Sequence, residues 1–276
     1  MSAELRLRIM SGVVLAAVVL AATWAGGMPF RLLSAAITLL VYYEWSTITR
    51  LPEVDFRGNA FGWAATAAAC VMTVFGEAEM AFVTVSLAVI VALVHALTFK
   101  RSLWLLGGVA YAGLTVLSLA AIRADDATGL IAMLFVFAVV WSTDILAYFV
   151  GRAIGGPKLA PSISPGKTWS GALGGTVSAV IAGSALYLFF FPATDLWVPL
   201  IALVLSVCSQ VGDLFESFIK RRFGVKDSSN LIPGHGGVMD RVDGLVFACF
   251  AAFLLGLAAV AGGQPVASTG AFLLGL

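Results

Sequence analysis

Long apolar runs alternate with short polar connectors along nearly the whole chain. Several runs approach the roughly twenty residues that a helix needs to cross the hydrocarbon core of a bilayer. The pattern predicts about nine spans, near 8–25, 29–48, 59–75, 79–99, 103–122, 128–150, 170–191, 195–221 and 242–262. The expected fold class is an all-α polytopic membrane protein. The eighth run, about 27 residues from Asp195 to Arg221 with no proline after Pro199, exceeds what crossing requires, so its last turns are expected to project toward the cytosol unless the helix tilts. No repeat of fixed period is visible, nor an inverted pair of broken helices of the kind transporters use.

Charge orients these spans. With the amino terminus in the cytosol, 14 of the 16 Lys and Arg residues fall on the cytosolic side and only Arg31 and Arg123 fall outside, the bias expected of cytoplasmic loops. The carboxyl terminus then lies on the opposite side. The chain is 61% hydrophobic and 11% charged, against about 25% charged in soluble domains, and its formal net charge of +1 implies no nucleic-acid partner. The first run is expected to be retained rather than cleaved, because more spans follow it and no small-residue cleavage site is convincing. Cys70, Cys208 and Cys249 lie in apolar runs without metal-ligand spacing and read as small hydrophobes. Glu44 and His95 are the ionisable exceptions in the first five spans; each is expected to partner a neighbouring helix or to snorkel. Residues 1–125 thus form an N-terminal group of about five helices. Residues 126–276 form the region in which chemistry is expected, with two cytosolic loops at 151–169 and 222–241.

The stretch from Val211 to Asp243 packs five of the 15 acidic and five of the 16 basic residues into 33 positions. Asp213, Glu216, Ser217 and Lys220 recur at i, i+3, i+4 and i+7 and share one helix face. Glu216 is open to two readings, a functional acid or an intrahelical partner of Lys220. Asp213, with no cation three or four residues on, is expected to be functional. Lys226 and Asp227 open a loop that ends in Pro233, Gly234, His235, Gly236 and Gly237, whose amides can cradle phosphate oxygens. It is not a Walker loop, because no GxxxxGK[ST] is present. Asp240 and Asp243 follow at i and i+3 around Arg241, an arrangement suited to Mg²⁺ completed by water and substrate phosphate. Helix capping accounts for one aspartate but not for the cluster. Asp213 and Asp240, at facing ends of consecutive helices, can converge on one ion or on a pair that clamps a phosphoryl displacement. Lys167 in SPGKT supplies a point charge for phosphate, with Ser164 and Thr168 as hydroxyl donors. Asp144 shares a helix face with Tyr148, and either supports the metal or pairs with Arg152. Acidic metal ligands beside many cations at a cytosolic membrane surface point to a nucleotide or polyphosphate meeting a lipid.

Residues 217–243, SFIKRRFGVKDSSNLIPGHGGVMDRVD, resemble the signature of phosphatidate cytidylyltransferases, matching at Ser217, Lys220, Arg221, Lys226, Asp227, Pro233, His235, Gly236, Gly237, Asp240, Arg241 and Asp243. GDLFES (212–217), TDILAYFVGR (143–152) and SPGKTWSG (164–171) are similar to further family segments in the family's order. One departure is Ser170, where the family usually has glutamate. The resemblance implies attack by the phosphate of phosphatidic acid on the α-phosphorus of CTP, giving CDP-diacylglycerol and pyrophosphate, in a bacterial-type cytoplasmic membrane with the active site facing the cytosol. With it come these expectations: Asp213 and Asp240 hold Mg²⁺, with or without a second cation, and Asp243 assists; Lys167, Lys220, Arg221, Lys226 and Arg241 bind phosphates; His235 shapes the loop or touches phosphate; and the protein is a homodimer. Two other functions fit the residues taken alone. A CTP-dependent lipid kinase would transfer the γ-phosphate instead, and a cation-coupled transporter would need its charges near the bilayer midplane rather than crowded on one side.

Overall fold

A computed structural model describes residues 3–192 and 196–276 of the chain. Its helices are α1 (Ala3–Ala25), α2 (Gly27–Ile48), α3 (Leu51–Val54), α4 (Phe56–Val74), α5 (Ala78–Thr98), α6 (Trp104–Arg123), α7 (Ala127–Ile154), α8 (Trp169–Phe190), α9 (Trp197–Arg222), α10 (Met239–Ala261) and α11 (Thr269–Leu274). Among the described residues, each predicted span coincides with a helix of at least 19 residues. Six of these, α5 to α10, are long and apolar enough to cross a membrane. Of the others, α2 carries the polar positions Arg31, Ser34, Thr38 and Glu44, α4 carries Arg57, Asn59, Thr66 and Thr73, and the apolar part of α1 is the shorter stretch Ile9–Ala25. The side chains of Arg6 and Arg8, two of the cations used to orient the chain, lie outside the described residues, as does Asp195, the expected start of the eighth helix.

The sequence pattern gave no strand, yet the first cytosolic loop contains an antiparallel hairpin, β1 (Lys158–Ala160) and β2 (Ser164–Thr168). Three residues suffice to turn the chain between them, and Thr168 then caps α8 by accepting from the Gly171 amide at 3.1 Å. Gly155, just beyond α7, has φ +67°, a left-handed conformation that glycine adopts without a steric cost.

The chain falls into two compact units: Met1–Ala120 with Phe223–Arg241, and Ala121–Arg222 with Val242–Leu276. In the first unit, Trp45 of α2 is the main packing anchor. It is buried, donates Nε1–H to the Trp104 carbonyl at 2.9 Å, and stacks on Tyr111 with ring centroids 5.5 Å apart. Gly107 and Gly108 make room for it, since a Cβ at either would lie under 3 Å from the indole. His95 bonds Asp55, the N-cap of α4, at 2.7 Å, so its expected neighbouring partner is found.

In the second unit, small residues bring helices together. Gly171 and Gly175 of α8 face the Ala147 and Thr143 carbonyls of α7 so closely that a Cβ would come within 2.6 and 2.7 Å of those oxygens. Small residues permit such approach between membrane helices, where lipid offers no hydrophobic advantage to association. A polar seam joins α7, α8 and α9 through Thr143 to Ser206 at 2.8 Å and Gln210 to Thr176 at 2.9 Å. The short helix α11 packs its buried residues 270–274 against α7 and α9, and Trp197 donates to the Phe272 carbonyl at 2.8 Å.

Candidate active site

In the second unit, the meeting of α9 and α10 sets the carboxylates. Gly212 lies against the Asp243 carbonyl and the Phe247 side chain, where a Cβ would approach within 2.6 Å of both. That contact brings Asp213, the next residue, beside Asp243. The charges of Asp213, Asp144 and Lys167 all act on Asp243, whose own carboxylate accepts from the Gly244 amide at 2.8 Å. Lys167 forms an ion pair with Asp213, and both side chains are about one-third exposed or less, at 27% and 33%. Ser217, one turn along α9, reaches the other Asp213 oxygen at 3.4 Å. Lys167 is carried here by β2, and the hairpin is tied to α9 because Arg221 Nε donates to the Ile163 carbonyl at 3.4 Å. Asp144 is exposed on α7, while Arg152 of the same helix donates to the Tyr148 hydroxyl at 2.8 Å.

Other residues expected here have local roles. Lys220 pairs with Glu216 at 2.5 Å, and the Glu216 carboxylate is buried. Thr168 caps α8, and Ser170 bonds the Gly155 carbonyl. Ser164 opens β2, paired with Ala160, and is half-buried.

In the first unit, residues 223–238 form the loop that precedes α10. Lys226, Asp227, His235, Gly236 and Arg241 line a cleft of about 560 Å³, inside the range of small-molecule sites. The turn at its tip is closed by Ile232 N–H to the Gly236 carbonyl at 2.8 Å and His235 N–H to the Ile232 carbonyl at 2.9 Å. It needs positive φ at Gly234 (+74°) and Gly236 (+84°), which explains the glycines. His235 Nδ1 lies 2.8 Å from the Ser11 hydroxyl of α1, which also donates to the Pro233 carbonyl at 3.2 Å. Asp240, in the first turn of α10, accepts at Oδ2 from Ser228 N–H, the Ser228 hydroxyl and Gly237 N–H, each at 2.8 Å. Gly237 is buried against Ser228 and Glu44, leaving no space for a side chain.

Glu44, Ser228 and Ser229 were not singled out by sequence reasoning as parts of a site. Glu44 was visible as an acid in an apolar helix, but its partners proved to be a distant loop, which spacing along α2 cannot reveal.

Carboxylates of Asp213, Asp243 and Asp144 supply hard oxygen donors, the ligand chemistry of Mg²⁺. Among the described residues no group of three or more His, Cys, Asp and Glu is placed to hold a metal ion. Mg²⁺ does not require such a group, since it usually takes one or two carboxylates and keeps water or phosphate for the rest. The donor set therefore fits such an ion.

Comparison with known proteins identifies the family. A family model described as the cytidylyltransferase family matches residues 6–258. A protein of Brucella abortus biovar 1 named phosphatidate cytidylyltransferase is 46% identical over 256 residues, covering 92% of this chain and 93% of that one. One of the same name from Bacillus subtilis is 34% identical over 269 residues, covering 92% and 98%. A third, from Haemophilus influenzae, is 48% identical over 130 residues, covering 45% of each chain. The helices, the carboxylates gathered by Gly212 and the basic glycine-turn loop thus lie within a match that runs almost the full length of the sequence, and the chain belongs to the cytidylyltransferase family.

Proposed function

We propose that this protein transfers the cytidylyl group of CTP to phosphatidic acid, producing CDP-diacylglycerol and pyrophosphate for phospholipid synthesis. The observation that carries this reading is the grouping of Asp213, Asp243, Asp144 and Lys167 in a chain rich in membrane-length helices. A phosphate monoester has a second pKa near 6 and is already mostly dianionic at neutral pH, so the attacking group needs no general base. The demand is to hold two polyanions together and to stabilise the charge of the departing pyrophosphate.

Asp213 and Asp243 would hold Mg²⁺, as one ion or two. The bound ion supplies positive charge to phosphate oxygens. Lys167, resting on Asp213, has its ammonium close enough to those ligands to take a phosphate oxygen in turn. Lys226 and Arg241 offer cations in the loop cleft. Lys220 and Arg221 add positive charge at the end of α9. We further propose that all nine long helices cross a bacterial cytoplasmic membrane with the amino terminus and the site in the cytosol, as the distribution of Lys and Arg favours, and that two copies associate, as the family resemblance suggests.

The test uses purified protein in detergent with phosphatidic acid, Mg²⁺, and CTP labelled separately at the α and γ phosphates. The expected result is α-label in the lipid and γ-label in pyrophosphate. Entry of γ-label into lipid would replace this reading with a kinase.

A further inference from the structure

The loop that carries Lys226, His235 and Arg241 is built around a side chain outside it. Glu44, on α2, is 0% exposed, and both of its oxygens are occupied. Oε1 accepts from the Ser229 hydroxyl at 2.6 Å and Val238 N–H at 2.8 Å. Oε2 accepts from the Ser228 hydroxyl at 3.0 Å and Met239 N–H at 2.6 Å. One carboxylate thus holds the chain just after Lys226 and Asp227 and again just before Asp240 and Arg241. The amides it holds at Val238 and Met239 open α10, where the helix dipole favours a negative group. A buried carboxylate that takes three donors outright and shares the Ser228 proton with Asp240 is a rigid template, because releasing any donor leaves a buried charge under-solvated.

We infer that Glu44 is a positioning residue for this phosphate-binding loop cleft: it closes the loop at residues 228–239 and thereby fixes the separation of Lys226 from Arg241. This rests on the cytidylyl-transfer reading for its kinetic consequence, but not for the conformational one. Glutamine at this position offers a single acceptor oxygen and an NH₂ that only donates, so one backbone amide, Val238 or Met239, would face another donor.

The experiment compares wild type with Glu44→Gln in the full chain. Trypsin cleavage after Lys226 and Arg241, mapped by mass spectrometry, is expected to accelerate about tenfold or more in the variant, as local opening of the loop would cause. Cleavage after Arg101, outside the loop, should stay within about twofold, since only global destabilisation would raise every site together. The KM for CTP or for phosphatidic acid, whichever phosphate the cleft takes, should rise about tenfold or more, since small displacements of binding groups are costly. Loop cleavage that rises only in step with cleavage after Arg101, or unchanged KM values for both substrates in an active wild-type background, would overturn the inference. A wild type without cytidylyl transfer would sink the functional reading instead, leaving the cleavage pattern to decide the role of Glu44. Should Glu44→Gln fail to fold, Ser229→Ala removes one donor and keeps the buried charge, and its cleavage ratio and KM are read by the same criteria.

Discussion

Replacing Asp213 with asparagine separates the site's electrostatics from its packing. The side chain is 33% exposed and its partner Lys167 27% exposed, so their pairing contributes little to stability. Two unit charges 4 Å apart attract by about 4 kcal/mol at an effective dielectric of 20. Side-chain ordering and solvent screening reduce the net contribution of such exposed pairs to about 1 kcal/mol or less. Asparagine is nearly isosteric, and the contact of Gly212 with Asp243 and Phe247 is unaffected, so thermal unfolding in detergent should move by only a few degrees. Catalysis should respond differently. Losing one preorganised charge in a transition state of this kind costs about 3 to 4 kcal/mol, or 10²- to 10³-fold in kcat. The assay follows α-label from CTP into lipid across a Mg²⁺ titration, and the variant should also require more Mg²⁺ for half-maximal rate. A variant with kcat within tenfold of wild type and an unchanged Mg²⁺ requirement would refute the metal-site reasoning. So would a loss of activity that tracked the loss of folded protein.

Gly212→Val keeps every carboxylate but inserts a branched side chain where even a Cβ would lie 2.6 Å from the Asp243 carbonyl. Overpacking of this kind costs about 1–3 kcal/mol. Activity should fall well beyond what the change in unfolding temperature explains, because Asp213 and Asp243 are pushed apart; near-normal kcat in folded variant would contradict this account of the helix crossing. Thr168→Ala should destabilise the protein by about 1 kcal/mol through loss of the α8 cap, measured by thermal unfolding. Thr168→Ser should restore that stability, and a serine variant as unstable as alanine would show that the hydroxyl cap is not the cause.

Much of the candidate site was legible as a residue inventory. Asp213 drew notice because a carboxylate in an apolar run is costly unless it has a purpose, and Lys167 because its loop lies on the same predicted side. The structure does bring these two together. Asp240 was expected from its i, i+3 relation to Asp243; what spacing could not show is that one Asp240 oxygen organises the loop by accepting from Ser228 and Gly237. Thr168, expected as a phosphate donor, turned out to accept the Gly171 amide as a helix cap, a role that depends on where β2 ends. The hairpin itself was missed because three- and five-residue strands are too short to display a period of two.

The sequence alone determined which segments are helices of membrane length, because twenty consecutive apolar residues have few alternatives in water or lipid, and which residues could carry phosphate chemistry, because clustered charge is costly in such a chain. Tertiary structure alone decided the partnerships. Glu44 and Ser228 are 184 residues apart, and no local periodicity encodes that contact. The approach of α9 to α10 at Gly212 likewise depends on which faces of two helices meet. Hydrophobic patterning sets how long each element is, whereas hydrogen-bond satisfaction and steric fit between distant elements set where its functional groups end up.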